Sequence, residues 1–344
     1  MKIGFLIENF YPSFGGPYTV VKETVKELIK SNIHAKVITK KNYSSKKKIS
    51  LIKEIKKVDI CHLYGGWTFF YLKAFFISYF LKKKIIFHPL GIFEPWAFNQ
   101  KKIKKKLAWF FYQNKILEKS DLVHCVSKIE EINLLKLNKN FKTYILPYGI
   151  PKKSIKKKIN KSKIKKKALF FSRIHKKKGV SELIKEWIFI NNPDWSLDIV
   201  GPCDDKNYYN SLLKICSDSK NNKIRFLEPI YRNNNKNKLF DNYDLFILPS
   251  KNDPFGMVIL ESLSRGLPVL TNKNTPWIDI KNYNAGWYIA PGALYLRSEL
   301  KKIFRTRKNV FFAKSRNAIK LAKQFNWDII SQKYVEMYSK VLKS

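Results

Sequence analysis

The chain has 344 residues, of which 68 are Lys or Arg and 26 are Asp or Glu, for a formal net charge of +42. Hydrophobic residues make up 45% and aromatic residues 15%, which excludes a disordered chain, and the length suffices for two domains with separate cores. Only eight of the basic residues are Arg, whereas a surface selected to grip phosphates mixes in Arg for its bidentate fork. The Lys excess, alongside many Asn and Ile, fits A/T-rich coding. Attraction to an anionic membrane surface is the sharper alternative, and no recognised module supports a nucleic-acid partner. Cys61, Cys125, Cys203 and Cys216 form no CxxC and no His cluster, so they read as reduced thiols and no metal site is expected. The opening "MKIGFLIENFYPSFGG" runs from a strand-like segment into a Gly turn without a signal-peptide pattern, and a cytoplasmic protein is expected.

In chain order, "KIGFLI" and "AKVIT" read as strands, and between them "YTVVKETVKELIKS" has helical spacing at Val20, Val21, Thr24, Val25, Leu28 and Ile29. Further strands are expected at "DICHLY", "KIIFHPL", "LVHCVS" and "TYILPYG". The helical stretches between them make a βαβ series, hence a mostly parallel sheet with right-handed crossovers. The aromatic run "WTFFYLKAFFISYFLKKK" at 67–84 is too short to cross a bilayer and carries Lys73. It reads as a buried crossover helix, or else as an interfacial helix with a basic edge, and "QKKIKKKLAWFFYQNK" at 100–115 has the same mixture.

The Lys-rich stretch 151–167, "PKKSIKKKINKSKIKKK", reads as a linker between an N-terminal domain, 1–150, and a C-terminal domain, 168–325. The strand pattern restarts at "ALFFSRI", "WSLDIVGP", "KIRFLEP", "DLFILPS" and "LPVLTN". A helical region at roughly 313–342 closes the chain, with 326–344 expected to pack back on the N-terminal domain. The fold class is α/β: two Rossmann-like doubly wound domains facing each other across a cleft, with ligands beyond the carboxyl ends of the strands.

Candidate site residues gather at those strand ends. Gly15 and Gly16 follow the first strand, where paired glycines let backbone approach a ligand, or simply make a tight turn. His88 ends a strand, placed to bond a sugar hydroxyl or to move a proton, or to serve as a satisfied core group. Arg173 and Lys178 sit before a helix start, as a diphosphate clamp or as solvated loop cations. In "NDPFGMVILESLSRGLPVL", a helix over 254–265 is expected, capped by Asp253, with Pro254 in its first turn and Gly266 after its end. Its Gly-containing entry makes an anion site of the helix N-terminus. Asp253 and Glu261 are eight residues apart, as a pair for sugar and ribose hydroxyls, or as an N-cap and a surface acid.

Together these segments resemble the family-4 retaining glycosyltransferases. The resemblance rests on an ordered set: "FGGPYTVVKETVKELIKSNIHAKVIT", "DICHLYGGW", "HPLGIFEPWA", "CVSKIEE", "ILPYGI", "SRIHKKKG", "ILPSKNDPFGMVILESLSRGLPVLTNKNTPW", "NAGWYI" and "FNWDIISQKYVEMY". It implies the GT-B fold and transfer of a sugar from a nucleotide-diphosphate donor to an acceptor hydroxyl with retention. Arg173 and Lys178 would neutralise the departing diphosphate, and Pro254, Phe255, Gly256, Met257 and Val258 would present backbone N–H groups. Glu261 would hold the ribose and Asp253 the sugar, His88 would sit close to the reacting centre, and Gly15 and Gly16 would let the loop approach donor and acceptor. Neither a cofactor nor a metal ion is implied, since the cations and the helix N-terminus would balance the charge.

Two positions depart from the family pattern. Asp253 stands where the family has Glu, one methylene longer, which would shift sugar preference or weaken turnover. Tyr148 stands where Asn is common. The expected partners are a nucleotide-sugar donor, a glycan or lipid-linked acceptor and an anionic membrane surface on the cytoplasmic side, with no nucleic acid. The alternatives are another GT-B enzyme (an epimerase or a phosphorylase) or a basic binding protein without catalysis.

Overall fold

The computed structural model describes residues 1–12, 15–40, 50–157, 159, 163–219, 223–230 and 233–344. The chain divides into two compact units, Met1–Gly149 with Trp327–Ser344, and Ile150–Asn326.

The first unit holds strands β1 (Lys2–Leu6), β2 (His34–Ile38), β3 (Ile60–Tyr64), β4 (Lys84–His88), β5 (Leu122–Cys125) and β6 (Thr143–Ile145), in the order β2-β1-β3-β4-β5-β6. Every neighbouring pair is parallel. A parallel sheet needs helical crossovers on its faces, so its strands are covered on both sides and read as unbroken apolar runs. β3, "ICHLY", is buried at all five positions. Helix Gly16–Lys30 carries the connection from β1 back to β2, with Pro in its first turn and Val20, Val21, Thr24 and Leu28 buried.

The steps from β2 through β3, β4 and β5 to β6 all run the same way across the sheet. Right-handed crossovers therefore lay their helices on one face. Phe69–Phe80 and the string Pro95–Asn99, Lys102–Ala108 and Asn114–Lys119, with a π-helical turn at Trp109–Gln113, pack into one hydrophobic cluster there through Phe70, Tyr71, Phe75, Phe98, Trp109 and Ile116. Helix Trp327–Lys343 packs against Gly16–Lys30, on the opposite face. Phe69–Phe80 buries Phe70, Tyr71, Ala74, Phe75 and Ser78, as a crossover helix does. Among the described residues no helix is long and apolar enough to cross a membrane.

The second unit holds β7 (Lys167–Phe171), β8 (Ser196–Val200), β9 (Ile224–Leu227), β10 (Leu245–Leu248), β11 (Val269–Asn272) and β12 (Gly286–Ile289), in the order β12-β11-β10-β7-β8-β9. All its pairs are parallel too. The chain starts in the middle at β7, builds outward to β9, then returns to lay β10 along the other side of β7, so β7 and β10 flank the switch point. The segment that begins this unit is anchored where it is described: Ile155 is buried, and the Lys156 N–H donates to the Ser264 carbonyl at 2.9 Å.

Two elements differ from expectation. β12 was not foreseen; three of its four residues are only half-buried, as befits an edge strand without a continuous apolar run. The helical region expected at 313–342 is two helices, Lys308–Lys323 and Trp327–Lys343, and the chain changes unit in the interruption between them.

Candidate active site

The switch point of the second sheet brings two loops together. One follows β7 and carries Arg173 and Lys178; the other follows β10 and runs from Pro249 to Gly256. Backbone bonds stitch them: the Lys251 N–H donates to the Lys177 carbonyl at 2.8 Å, and the Ser250 hydroxyl reaches the same oxygen at 3.2 Å. Gly179 makes the approach feasible. It sits at φ 72, and a Cβ there would lie 2.2 Å from the Pro249 carbonyl oxygen. Gly179→Ala is therefore expected to destabilise the unit by roughly 1–3 kcal/mol, read as a lower midpoint in urea with an unchanged slope.

Lys178 and Asp253 form an ion pair that is almost buried, their side chains 16% and 8% exposed. The other Asp253 oxygen accepts the Phe255 N–H at 3.3 Å. Burial pushes this carboxyl up, but the charge and hydrogen bond of Lys178, the charge of Lys177 and the Phe255 N–H outweigh it. The net effect holds Asp253 below its ordinary value, as a carboxylate.

This use of Asp253 corrects the expected helix start. The helix runs from Met257 to Ser264, not from Pro254, and its N-cap is Gly256 at φ 75. Asp253 turns its side chain to Phe255 and Lys178 instead of capping, so Pro254 and Phe255 belong to the loop. The Trp277 indole N–H donates to the Phe255 carbonyl and its ring packs 5.3 Å from that of Phe255, which fixes the loop. No side chain caps the helix. The N–H groups at its first positions, Met257 and Val258, have no intrahelical acceptor and carry the positive end of the helix dipole. Gly266, at φ 70, follows the last turn, and the Leu267 N–H closes it onto the Ser262 carbonyl.

Glu261, one turn into this helix, lies 3.4 Å from the Lys236 ammonium, with both side chains under one-fifth exposed. Lys236 was missed in the sequence, where it stands in an Asn- and Lys-rich stretch with nothing to mark it. Arg173 is the opposite case. Its side chain is 57% exposed, and its ion-pair contact is a loose one, 4.0 Å to the exposed Asp204. Such a contact contributes little, so the guanidinium is free to turn to an anion. Nearby His175 accepts the Lys177 N–H through Nδ1, while burial and the charges of Arg173, Lys177 and Lys178 hold it below its usual value.

The remaining candidates, Gly15, Gly16 and His88, belong to the first unit. Gly15 sits at φ 75 before the helix Gly16–Lys30, and a Cβ on either glycine would meet nothing within 4 Å among the described residues. Open space beside two glycines is what a closely approaching ligand needs, and Gly15 is additionally required by its backbone angle.

His88 has no exposed surface. Its Nδ1–H donates to the His124 carbonyl at 2.7 Å, so Nε2 accepts the Tyr148 hydroxyl at 2.6 Å. Both His88 nitrogens are thus occupied, and its Nε2 orients Tyr148, the residue that departs from the family pattern. Beyond it lies a chain of neutral groups. The Tyr338 hydroxyl donates to His62 Nδ1 at 3.0 Å, His62 Nε2 meets His124 Nδ1 at 3.3 Å, and His124 Nε2–H donates to the Leu146 carbonyl at 2.7 Å. Burial holds all three imidazoles below their ordinary value, His124 to about 4. In the adjacent turn Glu130 accepts the N–H groups of Gly91 and Val126, each at 2.8 Å, and burial pushes its carboxyl up to about 7. Among the described residues no cluster of His, Cys, Asp and Glu is arranged to hold a metal ion.

Comparison with known proteins bears on the fold and on the second unit's sequence. Residues 151–304 match the family described as glycosyl transferases group 1, a span that contains every second-unit residue of the site. Glycogen synthase from Mycoplasma mobile is 27% identical over 199 residues, 54% of this chain and 41% of that protein, so the match spans less than half of that relative's length. HepE from Anabaena, solved in complex with UDP and glucose, superposes with a TM-score of 0.79 at 18% identity over 99% of this chain and 100% of that one. Sucrose-phosphate synthase from Thermosynechococcus elongatus gives a TM-score of 0.80 at 16% identity over 100% and 99%. Residues 151–304 are thus similar to the glycosyl transferases group 1, and the chain has the GT-B fold of these solved structures.

Proposed function

We propose that the chain transfers a sugar, with retention of anomeric configuration, from a nucleotide-diphosphate donor to an acceptor hydroxyl of a glycan or lipid-linked glycan. In this reading it builds a cell-surface polysaccharide or glycolipid, as a peripheral protein on the cytoplasmic face of a membrane. The observation that supports it best is the second-unit switch point, where an uncapped helix N-terminus, a nearly buried Lys178–Asp253 pair and a loosely held Arg173 converge.

As the anomeric C–O bond to the diphosphate breaks and a bond to the acceptor oxygen forms, negative charge grows on the leaving phosphate, which takes up the acceptor's hydroxyl proton. Arg173, Lys178 and the N–H groups of Met257 and Val258 are preorganised to receive it, which is where electrostatic catalysis is most effective. Asp253, ionised and held by Lys178, accepts hydrogen bonds from sugar hydroxyls, and Glu261 accepts those of the ribose. Gly15 and Gly16 leave space for donor or acceptor. With charge balanced by these groups, turnover is expected to survive removal of divalent metal.

The complex of HepE with UDP and glucose makes UDP-glucose the first donor to test. A thermal-shift panel of UDP, GDP, ADP and CMP, with their sugars, tests the reading. One nucleotide at about a hundredfold over its Kd should raise the melting temperature by roughly 5 °C. The shift should shrink in Glu261→Ala and Arg173→Ala. No shift with any nucleotide, in a folded sample, refutes the donor site.

A further inference from the structure

The helices that cover one face of the first sheet turn an apolar, basic surface outward. On Phe69–Phe80, Phe69, Lys73, Phe76 and Phe80 recur at spacings of four, three and four residues, one stripe of a helix, and all four are exposed. Burying the opposite side of this helix against the sheet leaves that stripe exposed among the described residues of its unit. On the neighbouring string, Leu107, Phe110 and Phe111 form a second stripe across the π-helical turn. Phe80 is 77% exposed, Phe110 76% and Phe111 67%. The two elements are tied at Trp67: the Tyr112 hydroxyl donates to its carbonyl at 2.8 Å, and its N–H donates to the Gln113 side chain at 3.1 Å. Since both sit on the same face of the sheet, both stripes look away from it in the same direction.

Charge decides what fits there. Between Gly65 and Leu117 the sequence has ten lysines and one acidic residue, Glu94. Glu94 is buried and accepts the Asn133 side chain, so the outward surface of this stretch carries no negative charge. A second copy of the chain would bring the same positive charge to the contact and be repelled. Aromatic and aliphatic side chains ringed by lysines suit the boundary of a bilayer, where rings enter the headgroup region and ammonium groups meet lipid phosphates.

We infer that this face, bearing Phe69, Phe76, Phe80, Leu107, Phe110 and Phe111, docks the first unit on a membrane surface rich in anionic lipid. The inference deepens the membrane-surface part of the proposed function and rests on it, while nucleotide binding at the second unit is a separate property.

Co-sedimentation of the full chain with vesicles of phosphatidylcholine and phosphatidylglycerol, against pure phosphatidylcholine, tests it. The parent should pellet with the anionic vesicles only, and less in high salt. The quadruple variant Phe76→Ser, Phe80→Ser, Phe110→Ser, Phe111→Ser should lower the partition by about tenfold or more, because its apolar anchor is gone. All four positions are exposed, so far-UV circular dichroism and the nucleotide-induced thermal shift should stay those of the parent. A partition unchanged in the variant, no pelleting of the parent at low salt, a parent dimer that the variant dissolves, or preferential capture of RNA over vesicles would each overturn the inference. A variant that loses the vesicles but keeps the nucleotide shift supports it. A parent that keeps the nucleotide shift but never pellets refutes the docking face alone.

Discussion

Arg173→Ala is expected to slow sugar transfer by about a hundredfold to a thousandfold while leaving the unfolding midpoint where it was. The two halves of that expectation have separate causes. The guanidinium is mostly exposed and its ion-pair contact is loose, so the folded state loses little when it is removed. In the proposed reaction the donor diphosphate is already anionic and gains further charge as it departs, so the loss should appear in kcat as well as in KM. Arg173→Lys should recover part of the rate, since it restores the charge but not the planar fork. Lys178 cannot be read so simply. Its removal would leave the Asp253 carboxylate buried without a partner, and breaking such a pair costs about 3–5 kcal/mol. Steady-state kinetics with denaturation curves of both variants check this. An Arg173→Ala enzyme with unaltered kcat would remove Arg173 from the leaving-group site.

Stability of the first unit is expected to fall steeply as the pH drops from about 6.5 toward 4. His62, His88 and His124 are buried and neutral, with folded-state values depressed below those of an unfolded chain. Below pH 6.5 the unfolded chain therefore binds protons that the folded chain refuses, and the equilibrium shifts toward unfolding. For His124 the depression to about 4 corresponds to roughly 3 kcal/mol lost by the bottom of that window. Glu130 works in the opposite sense. Its carboxyl is raised to about 7, so between there and 4.5 the folded state holds a proton that the unfolded state releases. Its contribution is greatest at low pH and is lost as the pH rises toward 7, again by roughly 3 kcal/mol. Three imidazoles against one carboxyl leave a net loss in acid. Chemical denaturation at stepped pH values measures it, and Glu130→Gln, by removing the opposing titration, should make the acid slope steeper. Stability flat across the window would mean that the imidazoles take up protons while still folded.

The parts of the architecture that were legible in the sequence are those set by local apolar runs and turn residues. β3 and β10 read as strands because a doubly covered sheet demands unbroken apolar stretches, and Gly266 marked a helix end by its own backbone freedom. What was illegible depends on partners distant in the chain. Asp253 was expected to cap a helix, yet Lys178, seventy-five residues earlier, draws its carboxylate away and moves the helix start to Met257. His88 read either as a sugar contact or as a satisfied core group, and its bonds to Tyr148 and the His124 carbonyl come from residues 60 and 36 positions away. Lys236 carried no signal at all among so many lysines. The Lys-rich composition hid a useful contrast too: the aromatic positions, not the number of charges, distinguish the outward face of the first unit from the rest of the surface.

The division of the chain also governs how it is made. The second unit is one continuous segment, Ile150–Asn326, whereas the first is completed only by Trp327–Ser344. During synthesis the early half leaves the ribosome without the helix Trp327–Lys343, and the rings of Tyr334 and Tyr338, which cover the imidazoles of His124 and His62, arrive only after the whole second unit. The second unit can complete its own sheet and helices while the earlier one waits, so it is able to mature before the half made first.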